Sequence, residues 1–467
     1  MKLTETLERA AASLALRPLL RYVDKDPGPK LVKLVDFMER LSRKSFPAKT
    51  INAVKKGAMD PENIWTQLAL RILRETDRDM LRRLICSFGV GALNGTRLVR
   101  KNREKYGCNI PFQILFDPTS ACNLHCKGCW AGEYHKHENL TLAEMDSIVS
   151  QGAKLGTRVY MLTGGEPLLR KDDILRVAAK HKESTFLIYT NATLIDRELC
   201  RAIKKLGNVI FLISLEGFEE SNDARRGQGS YARSMRAIDL LREERCIFGM
   251  SVCYTSENIP TVTSDAFLDE VIKRGVRFSF YFNYMPVGKN ARPELIPRPE
   301  QREEMYRWLR RIRDSKTGKP IFIMDFQNDG EYVGGCIAGG RNYFHINSAG
   351  DIEPCVFIHY ADSNIRRHSL LEALKRPLFQ EYYKGQPFND NHLRPCPMLE
   401  NPDRLRAMVN RTGAKSTDLK APEPVDELCA KCDRYAAAWA PVAQRVWEEN
   451  PHPSPKTQYY RDREEHS

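Results

Sequence analysis

The sequence predicts an α/β fold built around a partial barrel of parallel strands, with a helical region before it and a small cysteine-rich region after it. Between about residues 112 and 325, short apolar runs alternate with amphipathic stretches of helical period. Alternation at this spacing is typical of parallel strands joined by right-handed crossovers. The chain has 467 residues, enough for two or three domains, and its patterns divide it at 1–107, 108–328 and 329–467.

The barrel elements can be placed individually. We expect strands, each a short apolar run, near 113–117, 158–162, 185–190, 209–214, 247–254, 277–283 and 321–325. Helices are expected near 141–155, 172–182, 196–206, 230–244, 262–274 and 299–314. Thr141 with Glu144 predicts a capping box at the first of these helices. Six or seven such units make a partial (β/α)6-type, TIM-like barrel, whose active site lies on loops at the C-terminal strand ends.

The N-terminal region, residues 1–107, is predicted to be helical and carries most of the basic charge. It holds 23 Lys and Arg against 12 Asp and Glu, a net +11 of the formal +13 of the chain. Asp60 followed by Pro61 predicts a helix start. Three roles are open: a helical cap on the barrel, a contact with an anionic membrane surface, or a docking site for an acidic peptide or carrier protein. Nucleic acid is disfavoured because no aromatic platform interleaves the charge.

The chain contains 13 cysteines but no secretory signal and no apolar run of membrane-spanning length. We therefore expect a cytoplasmic protein, at most peripheral at the inner membrane surface, whose cysteines serve metal or redox chemistry. The cysteines in apolar or strand-like contexts are interpreted as small buried hydrophobes: Cys86, Cys108, Cys200, Cys246 and Cys253.

Three cysteines crowd into one loop directly after the first predicted strand. Cys122, Cys126 and Cys129 form a C-x3-C-x2-C pattern. Three thiolates can hold three irons of a 4Fe–4S cube and leave one iron open for another molecule. The alternative is a zinc loop completed by a nearby histidine, although structural zinc sites commonly use paired C-x2-C units. The candidate histidines are His125, His135 and His137.

A second motif, Thr163-Gly164-Gly165-Glu166-Pro167, follows the second predicted strand. Its two glycines let the backbone approach a ligand closely, and Glu166 offers a carboxylate to an ammonium group. The motif lies one strand–helix unit after the cysteine loop, at the same end of the predicted sheet.

Together, these two motifs and the order of the strands resemble the radical S-adenosylmethionine (SAM) superfamily over about residues 112–325. The resemblance implies a 4Fe–4S cluster on the three loop cysteines, with the open iron chelated by the amino and carboxylate groups of SAM. It assigns the SAM amino group to the turn of Gly164, Gly165 and Glu166.

Further segments carry the resemblance. Ser214-Leu-Glu216-Gly217 is similar to the family's Ser-x-Asp-Gly segment, with Glu216 in place of Asp. Arg226 occupies the position of an arginine that pairs with the SAM carboxylate. In one departure, the residue before the last cluster cysteine is commonly aromatic and packs near the adenine, whereas here it is Gly128, with Trp130 just beyond.

The resemblance implies reductive cleavage of SAM to a 5′-deoxyadenosyl radical, which abstracts hydrogen from a C–H bond of a peptide, protein or lipid substrate. It also implies an electron donor such as flavodoxin or ferredoxin. A non-catalytic scaffold that binds zinc or an iron–sulfur cluster is the alternative class.

The C-terminal cysteines form a third pattern. Cys336 and Cys355 flank Gly350 in a C-x13-G-x4-C arrangement, and Cys396, Cys429 and Cys432 follow. This resembles the SPASM and twitch extensions, which bind auxiliary 4Fe–4S clusters. The full C-x2-C-x5-C-x3-C block of SPASM domains is absent, so we expect one auxiliary cluster. Cys336 and Cys355 are its expected ligands, completed by two of the other three, with the C-x2-C pair favoured. A zinc ribbon is the alternative.

Overall fold

A computed structural model describes residues 11–18, 20, 27–41, 48–132, 138–288, 290–418 and 421–450. Its centre is a series of seven strands: β1 (Gln113–Phe116), β2 (Val159–Leu162), β3 (Thr185–Thr190), β4 (Val209–Ser214), β5 (Phe248–Tyr254), β6 (Phe278–Asn283) and β7 (Phe322–Asp325). Each strand is parallel to the next along the chain. All seven predicted strands are confirmed, each within one residue of its expected ends.

The helices surround this series. In the N-terminal region they are α1 (Pro27–Leu41), α2 (Ala48–Ala58), α3 (Ile64–Glu75), α4 (Arg78–Leu84) and, after a π-helical turn at Ile85–Gly91, α5 (Ala92–Tyr106); residues 11–18 are also helical. Around the strands lie α6 (Leu142–Leu155), α7 (Lys171–Lys180), α8 (Arg197–Leu206), α9 (Glu219–Arg226), α10 (Ser230–Glu243), α11 (Ile259–Val262), α12 (Asp265–Lys273) and α13 (Pro299–Ile312). Two 3-10 turns, Pro167–Arg170 and Pro293–Leu295, occur among them. The C-terminal part holds α14 (Gly330–Val333), α15 (Leu370–Leu374), α16 (Pro377–Gly385), α17 (Pro402–Thr412) and α18 (Val425–Glu449).

The sheet continues into the C-terminal part. β8 (His345–Ile346) pairs parallel to β1, and β9 (Ile352–Glu353) pairs antiparallel to β8. A separate ladder joins β10 (Tyr360–Ala361) to β11 (Lys415–Ser416). β2 is buried along its whole length, as expected for a parallel strand covered on both faces. The predicted α/β class is confirmed, and the sheet crosses the boundary expected at 328/329.

Two helix starts test the capping predictions. At α6, Glu144 N donates to Thr141 Oγ1 at 3.1 Å, and Thr141 N donates to Glu144 Oε2 at 2.7 Å, so the predicted capping box is confirmed. The start predicted at Asp60 and Pro61 is wrong: these residues form a turn, and α3 begins after Asn63, whose Oδ1 accepts from Trp65 N. Asn63 is itself a favoured N-cap residue.

Residues 64–95, which we call the basal cover, pack across the N-terminal ends of the strands. Ile64 N donates to Ser315 O at 2.9 Å, in the loop before β7, and Asp77 N donates to Arg245 O at 2.8 Å, in the loop before β5. Further along, Gly95 lies against Gly156 in the loop before β2. The cover therefore passes the loops in reverse order, from the last strand back to the second.

Arginines of the basal cover donate to the C-termini of barrel helices. Arg71 Nη2 donates to Ile272 O at 2.5 Å, near the end of α12, and Arg83 Nη1 donates to Lys205 O at 2.7 Å, near the end of α8. Cations are stabilising at helix C-termini, where carbonyls lack partners. Part of the basic charge thus has a structural use. None of the helices in the described part of the chain has the length and hydropathy needed to cross a bilayer.

Candidate functional site

A cavity lies at the C-terminal ends of the strands, opposite the basal cover. The cysteine loop reaches it after β1 and the Gly-Gly-Glu turn after β2, and the end of β4 borders it two strands further along the sheet. Eight of the residues predicted at the cofactor sites line it: Cys122, Cys126, Cys129, Gly164, Gly165, Glu166, Ser214 and Arg226.

The Gly-Gly-Glu turn is held against the cysteine loop by backbone hydrogen bonds. Gly165 N donates to Thr119 O at 2.9 Å, and Glu166 N donates to Ala121 O at 2.8 Å. A Cβ on Gly165 would lie 2.0 Å from Ala121 O, so no other residue fits without moving this backbone. The glycine is required at least in part by this contact with the loop, whereas the sequence suggested an approach to a ligand.

The Glu166 carboxylate is buried and fixed by three donors. Oε1 accepts from Thr190 Oγ1 at 2.7 Å and Leu168 N at 3.0 Å, and Oε2 accepts from Asn191 N at 2.8 Å. Burial raises the pKa of Glu166, against the lowering effect of these donors. Since each carboxylate oxygen can accept two hydrogen bonds, Oε2 retains capacity for an ammonium group.

The sulfurs of the loop have partners suited to thiolates. Cys122 Sγ accepts from Leu124 N at 3.4 Å, and the thiol of Cys129 accepts from the backbone of Ala131. Burial nevertheless raises the pKa of Cys122 to about 11, so a thiolate here needs further positive charge, which a coordinated metal supplies.

The zinc alternative requires a histidine beside the three loop cysteines. Among the described residues, no three His, Cys, Asp or Glu side chains converge as the ligands of one metal ion do. Thiolates of an iron–sulfur cube bind different irons and stand further apart than ligands of a single ion. His125 is exposed, and His135 and His137 lie outside the described residues.

Glu216 lies behind the cavity wall and holds two arginines. Its side chain is completely buried, and its Oε1 accepts from Arg225 Nη1 at 2.7 Å and from Arg226 Nε at 2.9 Å. Both arginines line the cavity, and Glu216 is not among its lining residues. Cys253 also lines it, although the sequence suggested a buried hydrophobe. The position of Cys253 near the C-terminal end of β5 is the sequence feature that could have predicted its place in the cavity wall.

An aromatic ring lies beside Gly128. Gly128 has φ +65°, and a Cβ there would lie 2.7 Å from the hydroxyl of Tyr284 and 2.8 Å from its ring. Tyr284 is buried, lines the cavity and directly follows β6. It therefore fills the space next to the residue at which the family commonly has an aromatic side chain.

A cluster of aromatic rings forms another part of the cavity wall. The rings of Phe282 and Phe326 stack with centroids 4.6 Å apart, and Phe282 contacts Phe357 and Tyr189 at 6.4 and 6.0 Å. All four residues line the cavity. These rings offer an apolar surface to a group bound in the cavity.

The C-terminal cysteines are linked electrostatically to one another and to Tyr382. Burial, then the Glu400 carboxylate and the charges of Cys336 and Cys355, raise the pKa of Cys396. The buried hydroxyl of Tyr382 has no hydrogen-bond partner among the described residues, and its pKa is raised by burial and by the charges of these three cysteines and Cys429.

Among the candidate ligands of the auxiliary cluster, the sequence favoured the pair Cys429 and Cys432, which lie on α18, over Cys396. Cys396 Sγ accepts from Leu399 N at 3.3 Å and from Met398 N at 3.4 Å, as suits a loop thiolate.

A buried charged network joins the two groups of cysteines. His345 lies between Asp117, at the end of β1, and Glu353 of β9, with N···O distances of 3.0 and 2.6 Å. Burial lowers the pKa of His345, but the two carboxylates outweigh it and raise the pKa to about 10, so the imidazole is protonated at neutral pH. Trp130 contacts His345 edge-on at 5.9 Å.

Comparisons with known proteins show which family, relatives and solved structures this chain is similar to. Residues 116–269 match the model of the radical SAM superfamily. Over 229 residues the chain is 29% identical to Fe-coproporphyrin III synthase of Methanosarcina barkeri, covering 47% of this chain and 57% of that protein. It is 24% identical to PqqA peptide cyclase of Gluconobacter oxydans, covering 70% and 94%. The fold is similar to that of SuiB from Streptococcus suis, with TM-score 0.50, 18% identity and coverage of 62% and 72%.

Proposed function

The chain carries a radical SAM domain, and from this premise we propose that it reductively cleaves SAM to a 5′-deoxyadenosyl radical that abstracts hydrogen from a C–H bond of a peptide, protein or lipid. The observation that carries the proposal is the cavity shared by the cysteine loop, the Gly-Gly-Glu turn and Arg226. A 4Fe–4S cluster, when bound by Cys122, Cys126 and Cys129, supplies the electron for this cleavage.

In this proposal the protein binds and orients SAM. Glu166, fixed by its three donors, receives the ammonium group, and Arg226 receives the carboxylate. Gly164, Gly165 and Ser214 border the same space. Glu216 contributes by holding the arginines in place, and the aromatic wall keeps water from the reacting atoms.

A peptide or protein substrate is supported by the similarity to a peptide cyclase, and a lipid substrate by the apolar wall of the cavity. The basal cover lies at the opposite end of the barrel, which counts against delivery of a lipid through the basic N-terminal region. We expect the electron donor to be flavodoxin or ferredoxin.

We also propose one auxiliary 4Fe–4S cluster on Cys336, Cys355, Cys396 and Cys429. A cluster sulfur would give the buried Tyr382 hydroxyl the acceptor it otherwise lacks. Cys396→Ala should then lower the bound iron from about eight to about four atoms per chain, while Cys432→Ala keeps it. Full iron in Cys396→Ala with about four atoms in Cys432→Ala would support Cys432 as the ligand instead, and a wild-type chain with about four irons and one zinc would support a zinc site.

The main test uses the full chain reconstituted with iron and sulfide without oxygen, reduced with dithionite and supplied with SAM. We expect 5′-deoxyadenosine from the wild type and none from Cys126→Ala. The matched control is Cys200→Ala, which removes a buried cysteine that does not line the cavity and should leave product formation unchanged. A wild-type chain that holds the cluster and leaves SAM intact would instead support the scaffold alternative.

A further inference from the structure

Two arginines share one buried carboxylate beside the cysteine loop. Arg225 and Arg226 end α9, and both donate to Oε1 of Glu216, whose other oxygen accepts from Cys253 N at 3.1 Å. The side chain of Glu216 is 0% exposed and those of the arginines are 13% exposed. Two guanidinium charges against one carboxylate leave a net positive charge inside the protein.

This positive charge lies against the cysteine loop. Lys127 N, between Cys126 and Cys129, donates to Arg225 O at 2.8 Å, which fixes the end of α9 to the loop. Arg225, Cys126 and Cys129 also line the same cavity.

The Arg225 side chain has an unused donor. Its Nε is buried and has no hydrogen-bond partner among the described residues, while Arg226 Nε donates to Glu216. Since the resemblance assigns the SAM carboxylate to Arg226, Arg225 is a charge beside the cluster site that the proposed binding of SAM does not use.

We propose that Arg225 raises the reduction potential of the cluster on Cys122, Cys126 and Cys129, and that Glu216 is the residue that positions it. This inference rests on the proposed function. Reduction adds one negative charge to the cluster, and a nearby buried cation stabilises that charge more strongly than it would in water. Net charge and hydrogen bonding around a cluster are known to set its potential.

The test is a redox titration of the reconstituted full chain without SAM, followed by electron paramagnetic resonance, after iron and sulfide have been counted. At the wild-type midpoint, Arg225→Gln should lower the ratio of reduced to oxidised cluster about tenfold, which is about 59 mV for one electron. Glu216→Gln should raise the ratio, because it removes the opposing negative charge while its amide oxygen still accepts a hydrogen bond from Arg225.

Two controls separate charge from structure. Arg225→Lys keeps the charge and should stay within about twofold of the wild-type ratio. Arg176→Gln removes a charge from a side chain that is 69% exposed, where solvent screens it, and should leave the ratio unchanged.

The outcomes distinguish this inference from the proposed function. A wild-type chain without iron and sulfide defeats the proposed function itself. A wild-type chain with a cluster, combined with an unchanged midpoint in Arg225→Gln or shifts of equal sign in Arg225→Gln and Glu216→Gln, overturns the inference alone. If Arg225→Gln holds no cluster, the midpoint potential of Glu216→Gln tests the inference alone. A midpoint above that of the wild type supports the inference, and any other result rejects it.

Discussion

At the scale of single residues, the site departs from the family pattern at Gly128 and compensates nearby. The ring of Tyr284 occupies the space beside Gly128, and its hydroxyl accepts from Arg292 N at 2.9 Å, which fixes the ring at the cavity wall. Because the two residues are far apart in sequence, only the folded chain reveals their contact. We infer that Tyr284 supplies the aromatic surface for the adenine of SAM.

Replacing the ring tests this role. Tyr284→Leu should weaken SAM binding to the reconstituted protein about twofold to thirteenfold, since an aromatic contact contributes about 0.5–1.5 kcal/mol. Tyr284→Phe keeps the ring and should bind SAM nearly as the wild type does. Equilibrium dialysis with labelled SAM measures both constants, and equal affinity in the Leu and Phe variants would show that the ring does not contact SAM.

Sequence motifs predicted much of the site, but they did not predict how the charged residues around it are arranged. The cysteine loop and the Gly-Gly-Glu turn were predicted because each is contiguous in sequence and follows a strand. The contact between Glu216 and Arg225 was not predicted, because the partner of a buried carboxylate depends on which cations the fold brings close to it. The grouping of Cys396 with Cys336 likewise depends on how the irregular C-terminal part folds.

At the scale of elements, one buried ion pair ties α13 of the barrel to the C-terminal part. The Arg302 guanidinium donates to Glu400, to Tyr435 Oη at 2.8 Å and to Leu393 O at 3.0 Å, and both charged side chains are 0% exposed. Glu400 Oε2 in turn accepts from Cys396 N at 2.6 Å. The pair therefore links barrel packing to the position of a proposed cluster ligand.

Removing one member of this ion pair should lower the stability of the folded chain. Arg302→Met leaves the Glu400 carboxylate buried without its cation and should lower the free energy of unfolding by about 3–5 kcal/mol. The double variant Arg302→Met with Glu400→Leu removes both charges and should recover most of that loss. Urea denaturation of the cluster-free chain measures both, and a single variant as stable as the wild type would contradict the argument.

A surface network joins α8 to the residue after α10. Glu244 accepts from Lys204 Nζ at 2.7 Å, Arg197 Nη1 at 3.0 Å and Arg201 Nε at 3.2 Å. The hydrogen bond from Lys204, followed by that from Arg197, lowers the pKa of Glu244 from 4.5 to about 2. Because the folded chain binds this proton less readily than the unfolded chain, the stabilisation is complete above about pH 4.5 and is lost as the pH falls towards 2.

Glu244→Gln should therefore be less stable than the wild type at neutral pH by about 1 kcal/mol, a value limited by solvent screening. The difference should shrink between pH 4.5 and 2 and also in 1 M salt. Glu243→Gln, which alters a carboxylate that is 51% exposed and contacts Arg197, is the matched control. A difference independent of pH and salt would show that packing rather than charge is responsible.

The strands were predictable because buried parallel strands are short apolar runs, and their helices because each has an amphipathic period. The eight-residue helix α9 was not predicted: in Glu219–Arg226 only Asn222 is buried, so no apolar stripe marks it. β8 and β9 are two residues each: β8 forms by pairing with β1 and β9 by pairing with β8, and a local pattern cannot show either contact.

At the scale of the whole molecule, the basal cover closes one end of the barrel and leaves the other to the cavity. Gly91 and Gly95 make this contact close: a Cβ would lie 2.6 Å from Glu183 O at the first and 2.3 Å from Gly156 O at the second. The glycines Gly89, Gly91 and Gly95 stand close together in the sequence, but Gly91 and Gly95 contact loops more than 60 residues further along the chain. Together with the arginine contacts, this favours the helical-cap interpretation of the N-terminal region over the other two.

Gly95→Ala tests how closely the cover must pack. A glycine in the middle of a helix is ordinarily improved by alanine, by up to about 1 kcal/mol. At Gly95 the added methyl group meets the backbone of Gly156, so we expect a loss of about 1–3 kcal/mol from overpacking instead. Gly57→Ala is the matched control, because in α2 the nearest atom to its Cβ is the side-chain nitrogen of Asn63 at 3.3 Å, which can move. Thermal unfolding of the two full-length variants should therefore shift in opposite directions, or leave Gly57→Ala unchanged. A Gly95→Ala chain as stable as Gly57→Ala would mean that the cover is held to the barrel loosely and not by this contact.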